Sequence, residues 1–216
     1  MEICKTCQGG CCRNYTVNLT GYDIINLSRT LSVHPCSFIH IIAVEEGSDF
    51  EYKSKHAALF KFSDYDKDKY YIFSIRMLES ALVPGTARCQ FLLEWNLDNR
   101  NPSMDEIIAR CGIYNCRPLV CRAFPTKFDD TEKLGILMNT ASMNVNSEHP
   151  IYKLCPDNLT PADISDSDEI MKTLVLKKYE LDFFKNIALY WNKNPGTLME
   201  FLNFMVKAYR NRVTIE

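Results

Sequence analysis

The sequence has few histidines and lacks long apolar runs, dense basic blocks and nucleotide-binding loops. Only four histidines occur among 216 residues, and no stretch approaches the roughly 20 apolar residues of a membrane span. Lysine and arginine cluster only at 207–212 and the net charge is −2, so we expect neither a nucleic-acid partner nor a membrane. A glycine-rich phosphate loop, a Ser/His/Asp constellation and a paired-carboxylate site are also missing.

What the chain has instead is cysteine: ten residues, four of them among the first twelve. These four are Cys4, Cys7, Cys11 and Cys12, and a second group follows at 111–121. Because Cys4 and Cys7 stand where a secretory signal would have its apolar segment, we expect a cytoplasmic protein with reduced thiols. Clustered cysteines in such a protein are more often metal ligands or redox groups than disulfides.

The cysteine spacing suits a thiolate-bound metal. Four thiolates hold a structural zinc ion or an iron–sulfur cluster, and all-sulfur coordination suits both. Cys4 and Cys7 can bind one metal from a tight turn, and Gly9-Gly10 lets the backbone fold back toward it. Since adjacent cysteines seldom point the same way, Cys11 and Cys12 can serve different sites. The histidines lie far from the cysteine motifs in sequence and are not expected to be ligands; they are His34, His40, His56 and His149.

Hydrophobic periodicity predicts an α+β fold. We expect a small, loop-rich, metal-stabilised cysteine-cluster domain with a short antiparallel sheet over 1–160, and a C-terminal helical hairpin over 161–216. Thr20 is expected to cap a first helix, and Ser103 a short helix from Met104 to Arg110. Residues 36–44 favour a second helix, with a strand as the alternative. Further strands are predicted at 13–19, 57–62, 69–77, 88–95 and 134–138, with 111–128 mostly irregular.

The cysteine motifs together resemble the YkgJ-type cysteine-cluster family, a zinc- or iron-chelating domain that includes flagellin lysine N-methylase-like proteins. The opening Cys4-x2-Cys7 followed by a glycine step into Cys11-Cys12 matches the family, as does the Cys-x-Phe-Leu element at 89–92. The most specific match is a Cys-x-Ile-Tyr-x-x-Arg-Pro-x-x-Cys-Arg-x-Phe-Pro signature, which is carried here by Cys111, Ile113, Tyr114, Arg117, Pro118, Cys121, Arg122, Phe124 and Pro125. The matching motifs span residues 4–156.

The resemblance implies eight metal ligands: Cys4, Cys7, Cys11, Cys12, Cys89, Cys111, Cys121 and Cys155. Cys36 and Cys116 fall outside the pattern: Cys36 is expected to be a buried structural thiol, and Cys116 is either a bystander or an alternative ligand. Arg117 and Arg122 would offset thiolate charge; we expect ordinary ion pairs or capped backbone carbonyls, with anion binding as the alternative. Tyr114 would shield the metal. A long insert between Leu92 and Cys111 departs from the family, which has a short turn there.

The resemblance implies an iron–sulfur cluster, the preferred cofactor, or Zn²⁺. The corresponding functions are an iron–sulfur oxidoreductase or a protein lysine N-methyltransferase, with S-adenosylmethionine as donor if the chain is a methylase. The Cys-x3-Cys-x2-Cys spacing of radical S-adenosylmethionine enzymes is absent from the sequence. The alternative is a non-catalytic zinc or iron chelator, or a metal-stabilised scaffold whose C-terminal helices bind a protein partner.

Overall fold

The structure is a computed structural model that describes residues 9–45, 47–96, 107–129, 131, 134–138, 151, 159–160 and 166–212. Within these residues the α-helices are α1 (Gly10–Asn14), α2 (Gly21–Leu31), α3 (Ser48–His56), α4 (Leu119–Ala123), α5 (Ser167–Trp191) and α6 (Leu198–Arg210). The strands are β1 (Ile39–Val44), β2 (Tyr70–Ile75), β3 (Met77–Glu79), β4 (Ala87–Cys89), β5 (Leu92–Asn96), β6 (Ile107–Cys111), β7 (Thr126–Phe128) and β8 (Gly135–Leu137).

The strands pair in sequence order as antiparallel two-stranded sheets: β1 with β2, β3 with β4, β5 with β6, and β7 with β8. The predicted α+β class is therefore confirmed, with several small sheets among the described residues rather than a single sheet. The strand predicted at 134–138 and the two C-terminal helices are also confirmed.

The helix predicted for residues 36–44 is wrong. A short 3₁₀ turn at Pro35–Ser37 leads into β1, and β1 pairs with β2 in a register that sets Ile41 opposite Phe73. The β-branched residues of this stretch pack well on a pleated surface, so a strand paired with β2 is favoured over a helix here.

The helix predicted from Met104 to Arg110 is also wrong where the structure describes it. Residues 107–111 form β6, which pairs with β5 so that Leu92 lies opposite Cys111 and Ile107 opposite Asn96. The remaining residues of that prediction, with its cap Ser103, lie outside the described part of the chain.

Other strand predictions need smaller corrections. Residues 13–14 end α1, and the predicted strand at 13–19 is reduced to extended backbone bonded to β2 at Val17 and Leu19. The backbone of residues 57–62 pairs with β2 at a bridge between Phe60 and Tyr71, whereas β1 pairs with the whole of β2. A turn at 90–91 divides the stretch 88–95 into β4 and β5, and the predicted irregular segment 111–128 contains α4 and β7.

The described chain divides into two compact units. The first contains described residues of 1–16, 76–117 and 121–174, and the second contains those of 17–75, 118–120 and 175–216. The domain boundary expected at residue 160 stays a prediction. No helix among the described residues combines the length and the apolarity needed to cross a bilayer.

The core of the second unit is built from aromatic rings. Phe201 of α6 is fully buried and lies 4.6 Å from the ring of Phe60 and 5.4 Å from that of Phe73, between ring centroids. Trp191 packs against Phe201 and donates its indole N–H to the Lys61 carbonyl at 2.9 Å. Edge-to-face and stacked rings at these separations add specific attraction to the large apolar area that they bury.

Capping boxes define the N-termini of α2 and α6. The Thr20 backbone N–H donates to the Asp23 carboxylate at 2.9 Å, and Thr197 and Glu200 repeat the arrangement in α6. Asp23 is almost completely buried and also accepts the backbone N–H of Leu119 at 2.9 Å, so one carboxylate serves the starts of both α2 and α4. The predicted cap at Thr20 is confirmed.

Candidate metal centre

Five of the predicted ligands lie among the described residues of the first unit. Cys11 and Cys12 lie on α1, Cys89 ends β4, Cys111 ends β6 and Cys121 lies on α4. Helix α1 contacts β4. Three segments that are distant in sequence thus bring their thiols into one unit.

The tight approach of α1 to β5 requires glycine at the start of the helix. Gly9 has φ +78°, a left-handed conformation that favours glycine, and a β-carbon built on it would lie 2.8 Å from a methyl carbon of Leu92. The residue before the vicinal cysteines therefore lets the α1 backbone come close to the side chain of Leu92.

The vicinal thiols contact each other. The sulfurs of Cys11 and Cys12 lie 3.9 Å apart. The pKa of Cys11 is lowered, first because the Cys12 thiol bonds to it and further because of the positive charge of Arg117. The pKa of Cys12 is raised by the same thiol contact and then by burial. The pair therefore favours one thiolate and one thiol, since ionising both would place two negative charges side by side.

The other three thiols share this electrostatic environment. Burial raises the pKa of Cys89 to about 11, and it raises the pKa values of Cys111 and Cys121 as well. The negative charge of Cys11 adds to the upward shift at all three sulfurs. Thiols that oppose one another's ionisation are groups whose thiolate forms a soft cation would stabilise.

Besides Arg88, which acts on Cys89, Arg117 is a cation of this set. Its positive charge helps to lower the pKa of Cys11. At Cys111 and Cys121 the same charge opposes part of the upward shift that burial causes. Its guanidinium carbon lies 4.0 Å from the Tyr114 ring centroid, and its Nε donates to the Tyr114 carbonyl at 3.2 Å. The planar group is thus held against an aromatic face, where a lysine could not make the same contacts.

Arg122 occupies a different environment. It donates to the Glu169 carboxylate at 3.0 Å, and both side chains are partly open to solvent. An exposed pair of this kind contributes little to stability. Arg122 therefore makes an ordinary ion pair, while Arg117 acts electrostatically on the thiols.

The two cysteines outside the family pattern belong to different units. After burial, the charge of Cys116 is a further cause of the raised pKa of Cys111, and Cys36 belongs to the second unit, where its sulfur lies 3.9 Å from that of Met199. Cys36 is partly exposed rather than buried, which corrects the expectation. The three described histidines also belong to the second unit, and His149 lies outside the described residues.

A buried charge network beside the thiols escapes sequence reasoning. The Glu94 carboxylate on β5 pairs with Arg13 and Arg88, and it accepts the Ser80 hydroxyl. Arg13 directly follows Cys12 and Arg88 directly precedes Cys89. No local pattern marks the pairing of Arg13, because Arg13 lies 81 residues from Glu94 in the chain.

The described thiols do not by themselves complete a metal site. Across the described residues, no group of three or more histidine, cysteine, aspartate or glutamate side chains has an arrangement that could hold a metal ion. Three of the eight predicted ligands, Cys4, Cys7 and Cys155, lie outside the described residues. The eight-cysteine ligand set stays a prediction.

Comparison with family models identifies the family to which the chain belongs. The model of the CxxCxxCC family, described as "Putative zinc- or iron-chelating domain", matches residues 3–148. The chain belongs to this family. The spacing in the family name has two residues between the second and third cysteines, whereas three residues separate Cys7 from Cys11 in this chain. Searches of curated proteins and of solved structures found no match.

Proposed function

We propose that the chain is a metal-binding protein whose thiolates hold an iron–sulfur cluster or zinc, with the iron–sulfur cluster preferred. Membership of a zinc- or iron-chelating family supports metal binding. The observation that carries the proposal is geometric: the sulfurs of Cys11 and Cys12 lie 3.9 Å apart on α1, and α1 contacts β4, which ends at Cys89.

The donor chemistry fits either metal. Thiolates bind zinc and the iron of clusters, and the described donors beside Arg117 are all sulfur. Taking several thiolates out of water is unfavourable without a compensating cation, which a metal supplies. Arg117 would offset part of the remaining negative charge, and Tyr114 would hold the Arg117 guanidinium in place. Arg122 instead pairs with Glu169.

A catalytic role is a further proposal, supported by the family resemblance alone. Iron–sulfur redox chemistry or lysine N-methylation would make the chain an enzyme, and methylation would require S-adenosylmethionine as the donor. A protein substrate or partner could dock on α5, where Val175, Tyr179, Leu189 and Tyr190 are exposed apolar or aromatic side chains.

Anaerobic purification followed by metal and sulfide analysis tests the proposal. A coloured protein that contains iron and inorganic sulfide, and that bleaches with dithionite, would support the iron–sulfur cluster. A colourless protein with stoichiometric zinc would overturn the preference for iron and leave metal binding intact. A chain that retains no metal after purification and reconstitution would refute the proposed function.

Two cysteine variants test which thiols are ligands. We expect Cys121→Ser to lose bound metal, because Cys121 is only partly exposed and interacts electrostatically with Cys11, Cys89 and Cys111. Cys116→Ser is the matched control, five residues away in the same unit, and should keep its metal content. Loss of metal from the Cys116 variant, or full retention in the Cys121 variant, would contradict the ligand set.

A further inference from the structure

We propose that Glu94 is a positioning residue for the thiol centre, because its carboxylate fixes Arg13 and Arg88, the sequence neighbours of Cys12 and Cys89. The inference rests on the proposed function in that the aligned thiols are taken to bind metal. Glu94 is not itself a sulfur donor; its proposed role is to set the positions of the thiols.

The network is mostly buried and is joined by ion pairs and by hydrogen bonds from Ser80. The side chain of Glu94 is 4% exposed and that of Arg13 is fully buried. Arg13 Nη2 and Arg88 Nε reach separate carboxylate oxygens, the second at 2.9 Å, and the Ser80 hydroxyl lies 3.0 Å from both oxygens. Arg88 also donates to the Leu92 carbonyl at 2.6 Å, which ties β4 to the start of β5.

The same face of β5 holds α1 at both ends of its cysteine pair. Leu92 and Glu94 are two residues apart on β5, so their side chains lie on one face of the strand. Leu92 fills the space beside Gly9, and Glu94 binds Arg13. Cys11 and Cys12 lie between Gly9 and Arg13 in the chain, so the apolar contact and the ion pair flank the vicinal thiols.

The register of β5 extends this alignment to a third segment. Leu92 pairs with Cys111 of β6, and Glu94 pairs with Ala109. A strand fixed at Glu94 therefore connects the thiols of α1, the thiol at the end of β4 and the thiol at the end of β6. Donors supplied by separate segments need supporting contacts of this kind to stay within bonding geometry of one metal.

The charge balance of the network also depends on the carboxylate. Two guanidiniums and one carboxylate leave one net positive charge, and both guanidiniums belong to residues adjacent to cysteines in the chain. Removing the carboxylate would leave the buried Arg13 and the partly exposed Arg88 without their shared counter-charge, and buried unpaired charge is strongly unfavourable. We expect α1 and β4 then to separate at this point.

Glu94→Gln tests the assignment, with Glu79→Gln as the matched control. Glu79 belongs to the same unit and accepts a backbone N–H from Gly85 at 3.0 Å, but it is exposed. We expect Glu94→Gln to weaken Zn²⁺ binding by about ten- to a hundred-fold, measured by competition with a chromophoric chelator. The control should bind Zn²⁺ as the wild-type chain does.

A second readout does not depend on metal. In the reduced, metal-free protein, dibromobimane joins thiols that lie close together, and peptide mass spectrometry identifies the linked pairs. We expect Glu94→Gln to lose the link between Cys12 and Cys89 and to keep the link between Cys11 and Cys12, which needs α1 alone. Wild-type cross-linking and wild-type Zn²⁺ affinity in this variant would overturn the assignment.

Two further controls separate the ways in which the experiment can fail. A wild-type chain that binds no Zn²⁺ would count against the proposed function, while cross-linking would still decide whether Glu94 positions the thiols. If circular dichroism shows that Glu94→Gln is unfolded, Arg13→Met replaces it, because this change leaves Glu94 paired with Arg88 and Ser80. Unchanged cross-linking in a folded Arg13 variant would also overturn the assignment.

Discussion

Replacing Asp23 by alanine should destabilise the second unit by about 2–4 kcal/mol. The substitution leaves the buried backbone N–H of Leu119 without a partner, which costs about 1–3 kcal/mol, and removes a capping box worth about 1 kcal/mol. Burial raises the pKa of this carboxyl, so losing the charge also relieves some desolvation cost and argues against a larger effect.

The unfolding of this unit can be followed through Trp191. The chain has two tryptophans, and Trp95 is 41% exposed, so Trp95→Phe provides a tolerant background in which only Trp191 reports. Urea titration of Asp23→Ala in this background should give the stated loss, and the melting temperature should fall by about 5–15 °C.

The control is Asp66→Ala, an exposed aspartate of the same unit that accepts a single backbone N–H from Asp68. We expect this change to cost less than about 0.5 kcal/mol. An equal loss in the two variants, or a loss of less than about 0.5 kcal/mol for Asp23→Ala, would refute the view that this carboxylate satisfies buried donors of both helices.

Two more predictions concern α6. Thr197 donates its backbone N–H and its hydroxyl to the Glu200 carboxylate, and these hydrogen bonds lower the pKa of Glu200. Their contribution to folding stability is present above the unfolded-state pKa of about 4.3 and is lost as pH falls through the folded-state pKa. Glu200→Gln should therefore lose less stability than wild type between about pH 5 and pH 3, measured by urea titration, and an identical acid response would contradict this. Phe201→Ala should cost about 3–5 kcal/mol in the same assay because the ring is fully buried, whereas exposed Leu189→Ala should cost less than about 0.5 kcal/mol; equal losses would contradict the assigned core.

Local sequence signals predicted those elements that are stabilised by nearby residues. Thr20 and the following apolar positions indicated α2 correctly, because a capping box is completed within four residues. The C-terminal helices were predictable for a related reason, since their apolar faces repeat along a single segment. Strands β1 and β6 were not predictable in this way, because their hydrogen bonds are completed by β2 and β5.

The sequence by itself determined which chemistry is available: ten cysteines, the Arg117-Pro118 signature between Cys111 and Cys121, and membership of a zinc- or iron-chelating family. The tertiary structure decided which thiols share one electrostatic environment. It also decided that Arg122 pairs with Glu169 while Arg117 lies against Tyr114, and that Glu94 links the segments beside Cys12 and Cys89. The physical reason is distance along the chain: spacing constrains donors within a few residues, whereas only packing brings α1, β4 and β6 together.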